Sequence, residues 1–282
     1  MDIAATTAGI ATMVAKTSAQ GGCAFACHET NPSADNLGNP NGEDNYTLAK
    51  NLGVVTQIEN MATAVSTLMT TAADAEQANT ATYKAAIYTF NYNGLNTIFA
   101  PSGSPSSNLS SAATAAAGID VLEVCSNSYL TCSNDNNDTD TNFETAMSAI
   151  NSLMPNPGTG ASNSTPQEVL FIVSDGVDDE VNSTSCTQVL TGSRCQQPFN
   201  ISMCTTVKNR GIMIAVLYTE YLPLPTNSWY NTYVAPYQAT LGTNMQNCAS
   251  PGLYFGITTD DDITAAMQTL FQLAISSARL SQ

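Results

Sequence analysis

The chain has 282 residues, enough to bury a full core in one domain or in one domain plus an appendage. Its 23 acids against 7 bases give a formal charge of -16, a field that repels nucleic acid and anionic membrane surfaces and attracts divalent cations. The 43% apolar content and periodic segments exclude a disordered acidic chain, and no apolar run reaches the length of about 18 residues that a membrane-spanning helix needs.

Residues 1–45 are rich in short side chains and turn formers and read as a loop-rich segment around CAFACH. No basic, apolar leader opens the chain, so it is expected to be mature or truncated. From Tyr46 a helical pattern begins, with Leu48, Leu52, Val55, Ile58, Ala62, Val65, Leu68 and Ala72 at steps of three and four, crossed by Gly53. YKAAIYTF and LNTIFA flank an Asn-Gly step and predict a hairpin. An Ala-rich segment with Ile119, Leu122 and Val124 predicts a short helix, and SNDNNDTDT a polar loop. Phe143, Ala146, Met147, Ile150 and Leu153 then mark a helix ended by Pro155 and Pro157.

VLFIVSDGVDDE (Val169 to Glu180) is the most informative stretch. Its apolar run is too short for a helix and suits a strand buried on both faces. It ends at Asp175-Gly176, where open α/β sheets keep their ligand sites; alternatively Asp175 only starts a turn. A long cysteine-bearing loop follows. ISMCTTVKNRG predicts a helix closed by Gly211, IMIAVLY a second buried strand, YLPLPTNSWYNTYVAPY a loop-rich excursion, LYFGI a short strand, and about 262–278 a final helix. The alternation predicts an α/β fold with a mostly parallel sheet flanked by helices.

Eight cysteines, mostly in polar sequence, point to an oxidising compartment and to disulfides. Local pairs Cys125–Cys132 and Cys186–Cys195 and a longer Cys204–Cys248 bridge are compatible with the spacing, which does not fix connectivity. Cys23 and Cys27 precede His28, the sole histidine. The spacer is one residue longer than in Cys-x-x-Cys-His haem attachment, so a cysteine pairing, metal binding and haem remain alternatives, with haem disfavoured. No Gly-x-Ser-x-Gly or phosphate loop is present, which argues against an enzyme.

DTDTNFETAMSAI ahead of VLFIVSDG resembles the von Willebrand factor A domain family. That resemblance implies a Rossmann-type sheet with a Mg2+ or Ca2+ ion at its upper end, to which Thr141 and Asp175 would contribute. Thr141 has a second reading as the N-cap of a capping box with Glu144. The family's Asp-x-Ser-x-Ser motif does not precede the first long helix. The apolar strand that normally carries it is missing too. The first central strand is therefore expected to be missing because the chain is cut just upstream, or to be supplied from elsewhere by another polypeptide adding a strand. CAFACH, IENMATAVSTLM, YKAAIYTFN, TDTNFETAMSAINSLMP, VKNRGIMIAVLYTEY and DDDITAAMQTLFQLAISSARLSQ together resemble TadG-like proteins of bacterial Tad (Flp-type) pilus systems. The resemblance implies residues 46–282 as the A-like domain with disulfide-bearing loop insertions. It also implies an exported, non-enzymatic pilus-assembly or adhesion role and contacts with surface proteins through loops 133–141 and 175–200. A structural, pilin-like filament subunit assembling by strand exchange is the alternative.

Overall fold

The computed structural model describes residues 4–18, 45–79, 81–92, 94–121, 141–181, 184–225 and 227–280. The first half holds α1 (Thr7–Lys16), α2 (Asn45–Asn51), α3 (Gln57–Asn79), β1 (Ile87–Asn91), β2 (Gly94–Phe99) and α4 (Leu109–Ala116). It is followed by α5 (Phe143–Leu153), β3 (Val169–Ser174), β4 (Val177–Val181), β5 (Arg194–Pro198) and α6 (Ser202–Asn209). The last part comprises β6 (Met213–Thr219), α7 (Ser228–Tyr233), α8 (Ala235–Gln238), α9 (Leu241–Cys248), β7 (Tyr254–Ile257) and α10 (Ile263–Leu280).

The two apolar runs of the second half become neighbouring strands. β3 pairs in parallel with β6 from Val169↔Met213 to Ser174↔Tyr218, and β6 pairs in parallel with β7 from Val216↔Tyr254 to Thr219↔Ile257. Successive side chains point to opposite faces, and both faces are covered, so neither can be polar. Leu170, Ile172, Ile214 and Val216 meet Phe143, Met147, Val207 and Met245 from α5, α6 and α9. Phe171, Val173, Ala215 and Leu217 meet Leu68 and Ala72 of α3 and Met267 and Leu270 of α10. The result is an α/β molecule in which a three-stranded parallel sheet lies between helical layers.

The β1–β2 hairpin forms a separate antiparallel pair, from Ile87↔Phe99 to Asn91↔Gly94. Gly94 has a φ of 94°, and a Cβ there would lie 2.9 Å from Thr145 Cγ2, so the turn requires glycine. Tyr88, Phe90 and Leu95 pack on the same side as α5, while Ile87 and Phe99 join Met13, Ile58, Ala112 and Ala116 on the other. The hairpin thus lies between two helical layers, as the three-stranded sheet does.

Local chemistry explains the helix ends. The helical pattern from Tyr46 is cut in two: Gly53 takes a φ of 69°, and α3 restarts behind Thr56, whose N–H and hydroxyl donate to Glu59 Oε2 at 2.7 and 2.9 Å. Gly211 closes α6 with a φ of 86°. Residues 7–16, within the segment read as loop-rich, form α1, capped by Thr6 through Gly9 N–H at 3.0 Å. Two stretches read as loops also fold: VDDEV and RCQQP pair as the β4–β5 hairpin, and the excursion after β6 winds into α7 and α8, with α9 following.

Candidate functional site

The carboxyl ends of β1 and β3 are joined by a strap. Asn142 N–H donates to Asn91 O at 3.1 Å at the end of β1, and Thr141 exchanges both main-chain hydrogen bonds with Asp179 at 3.0 and 2.8 Å. β4 follows β3 through the Asp175-Gly176 turn, so the strap links the end of the β1–β2 hairpin to the end of the three-stranded sheet. Asp175 Oδ1 accepts from Val177 N–H at 3.1 Å, the geometry of an Asx turn, and Gly176 has a φ of 79°.

Behind the strap lies a buried acidic cluster. Asp178, Asp179 and Glu180 are successive residues of β4, and all three are buried. Buried charge is costly unless paired. Asp179 is paired: Arg194 Nε donates to Oδ1 at 2.8 Å and Nη2 to Oδ2 at 2.6 Å, a bidentate fork, with Gln196 Nε2 on Oδ2 at 3.1 Å. Trp229 completes the group, its ring 5.2 Å from the Arg194 guanidinium and its Nε1 donating to Gln196 Oε1 at 2.9 Å. Cys186–Cys195 fastens the loop to the residue next to Arg194, with Cα atoms 5.8 Å apart.

Among the described residues Asp178 has no such cation. Its Oδ1 accepts from Phe143 N–H at 2.9 Å, at the first residue of α5, where the helix dipole favours negative charge. Burial nevertheless pushes the carboxyl up to about 7, and Glu180, Glu144 and Asp179 add to the rise. Tyr237 contributes a buried hydroxyl with no hydrogen-bond partner. Its ionisation is pushed far upward by burial and then by Asp179, Asp175 and Asp178.

The two predicted cation ligands therefore sit in different roles. Thr141 is held through its main chain, and the side-chain cap of α5 is Asn142, which accepts from Thr145 N–H at 2.9 Å. The capping box read at Thr141 and Glu144 is displaced by one residue; Glu144 instead accepts from Asn200 Nδ2 at 2.6 Å. Asp175 spends one oxygen on its own turn. A hard cation surrounds itself with about six oxygens. Among the described residues no three acidic, histidine or cysteine side chains are grouped to hold a metal. Thr141 and Asp175 alone do not fit Mg2+ or Ca2+.

Cys204–Cys248 ties α6 to α9, with Cα atoms 5.2 Å apart. Cys23, Cys27, His28, Cys125 and Cys132 lie outside the described residues. Asp178, Asp179, Arg194, Trp229 and Tyr237 were not singled out by the sequence. The available signal was Arg194, a rare base placed directly before a cysteine in a chain with 7 basic residues.

No protein-family model matches the chain, and no curated protein is significantly similar to it. Among solved structures, the pilus adhesin SpaC from Lactobacillus rhamnosus GG in its open conformation is similar at a TM-score of 0.41 and 13% identity, over 83% of this chain and 28% of that one. A second form of the same adhesin gives a TM-score of 0.40 and 13% identity, over 79% and 27%. The chain thus spans little more than a quarter of the adhesin's length.

Proposed function

We propose that the chain is a non-enzymatic, exported protein with a von Willebrand factor A-like domain of the TadG-like kind. It serves pilus assembly or adhesion and contacts a protein or surface partner through the loops at the carboxyl ends of its sheet strands. The observation that carries the reading is the order TNFETAM, VLFIVSDG, VKNRGIMIAVLY, taken with the parallel alignment of the last two segments in one sheet. The Cys186–Cys195 and Cys204–Cys248 bridges support an oxidising compartment. The disulfide-braced β4–β5 hairpin at the strap gives a rigid contact surface, with the acidic cluster behind it.

Fractionation of the source cells tests this reading. The protein is expected outside the cytoplasm, co-sedimenting with sheared pili, with Cys186, Cys195, Cys204 and Cys248 resistant to alkylation until reduced. A cytoplasmic protein with four freely alkylated thiols at these positions refutes it. A second reading, a filament subunit that assembles by strand exchange, is favoured by one observation: among the described residues, β1 and β3 each pair on one side only.

A further inference from the structure

The two disulfides of the described residues are not equally guarded. Cys204 and Cys248 are 0% and 1% exposed and lie in the same core cluster as Val207 and Met245. Cys195 is equally buried. Its partner Cys186 is only half-buried, between the exposed residues Ser185 and Thr187. Thiol–disulfide exchange needs a thiolate to reach one sulfur, so access decides which bridge is attacked. Of these four cysteines, Cys186 is the one that a thiolate in solution meets.

The accessible bridge closes on the clamp behind the strap. Cys195 stands between Arg194 and Gln196, whose side chains both hold Asp179. Gln196 also takes the Trp229 indole N–H, and Gln197 accepts from the Thr187 N–H and hydroxyl, both at 3.1 Å. Thr191 and Arg194 exchange both main-chain hydrogen bonds at 3.0 Å and turn the loop back. Asp179 in turn carries the main-chain bonds to Thr141. The connection from Cys186 to the strap is thus continuous. Once the bridge is cut, hydrogen bonds and packing alone hold the loop of residues 186–195, and the opened hairpin regains the freedom that the cross-link removes.

We infer that Cys186–Cys195 is a thiol–disulfide exchange site, attacked at Cys186 by a dithiol, and that its reduction loosens the Arg194–Asp179 clamp and the strap. The dithiol's first thiolate bonds to Cys186 Sγ, the Cys186–Cys195 bond breaks, and Cys195 leaves as a thiolate that takes up a proton. The second thiolate then displaces Cys186 Sγ, which is protonated in its turn. The protein gains two electrons and two protons, and the dithiol ends as its own disulfide. The contact surface proposed above then has two states, braced and loosened. That use of the bridge rests on the exported role; its reactivity does not.

The test uses the whole oxidised protein and dithiothreitol, quenched at intervals by alkylation and read by peptide mapping. Cys186 and Cys195 are expected to be alkylated about tenfold faster, or more, than Cys204 and Cys248. The species alkylated at the first pair but not the second should exchange its Thr141, Asp179 and Arg194 amides about tenfold faster than the oxidised protein, with the β6 amides unchanged. A Cys186→Ala/Cys195→Ala variant should show the same loosening without reductant. Equal rates at the two bridges, earlier reduction of Cys204–Cys248, or no reduction short of unfolding overturns the inference. Unchanged strap exchange in the alkylated species or in the variant overturns it as well. The measurement is made on purified protein and does not depend on the cell fractionation, so the two proposals fail separately.

Discussion

Arg194 shows how sparingly this chain spends its bases. Its fork to Asp179 is buried on both sides, so removing one partner strands the other charge. Arg194→Met is expected to lose about 3–5 kcal/mol of stability, and the Arg194→Met/Asp179→Asn double variant to recover a large part of it, both read from urea unfolding. Two further bases cap neighbouring helices: Lys208 Nζ donates to the Asn247 and Ala249 carbonyls at 2.8 and 3.2 Å, and Arg210 Nη2 to Met154 O at 2.6 Å. Asp178 is the opposite case, an acid whose surroundings make it hold its proton more tightly. Its folded value, about 7, exceeds the unfolded value of 3.8, so the folded state holds the proton more tightly. The stability this contributes is complete below pH 3.8 and is lost as pH rises through about 7. Asp178→Asn keeps an acceptor for Phe143 N–H but removes the titration. Its stability should therefore fall less than that of the unmodified protein between pH 5 and pH 8, by roughly 2–4 kcal/mol in urea titrations. An equal decline in both proteins would exclude Asp178 as its source.

At the scale of elements, the two disulfides differ in what they enclose. Cys204–Cys248 closes a separation of 44 residues and Cys186–Cys195 one of 9. Loop-closure entropy then assigns about 4 kcal/mol to the longer bridge and about 3 kcal/mol to the shorter. Replacing each pair by alanine should lower the midpoint of urea unfolding in that order; a reversed order would show that the bridges act mainly on the folded state. Much of the element order was legible in the sequence, because β3 and β6 are short continuous apolar runs, α10 repeats its apolar residues at steps of three and four, and Asp175-Gly176, Gly211 and Asp262 mark their boundaries. The β4–β5 hairpin was not legible. Three acids in a row read as a solvated loop, and only the pairing of Asp179 with Arg194, 15 residues away, makes their burial tolerable. The same limit hid the site. Asp175 could be seen at the end of a strand, but neither its Asx turn nor the approach of Phe143 to Asp178 across 35 residues follows from spacing. The excursion into α7, α8 and α9 was masked by Pro and Asn that look like turn formers but cap helices instead: Asn227 accepts from Tyr230 N–H at 2.9 Å, and Pro236 opens α8.

For the whole molecule, the β1–β2 hairpin and the three-stranded sheet form the framework that carries the strap. Helical layers hold the β1–β2 hairpin and the β3–β6–β7 sheet, and the strap of Thr141 and Asn142 fixes their upper ends, yet no strand among the described residues bridges β1 and β3. The most direct measurement is residue-resolved hydrogen exchange on the isolated chain at neutral pH. The amides of Leu170 and Ile172, which face β6, should be protected, and those of Val169, Phe171 and Val173 should exchange faster by about a hundredfold or more, as unpaired edge amides do. Uniform protection along β3 would mean that its second edge is already paired and would contradict the account.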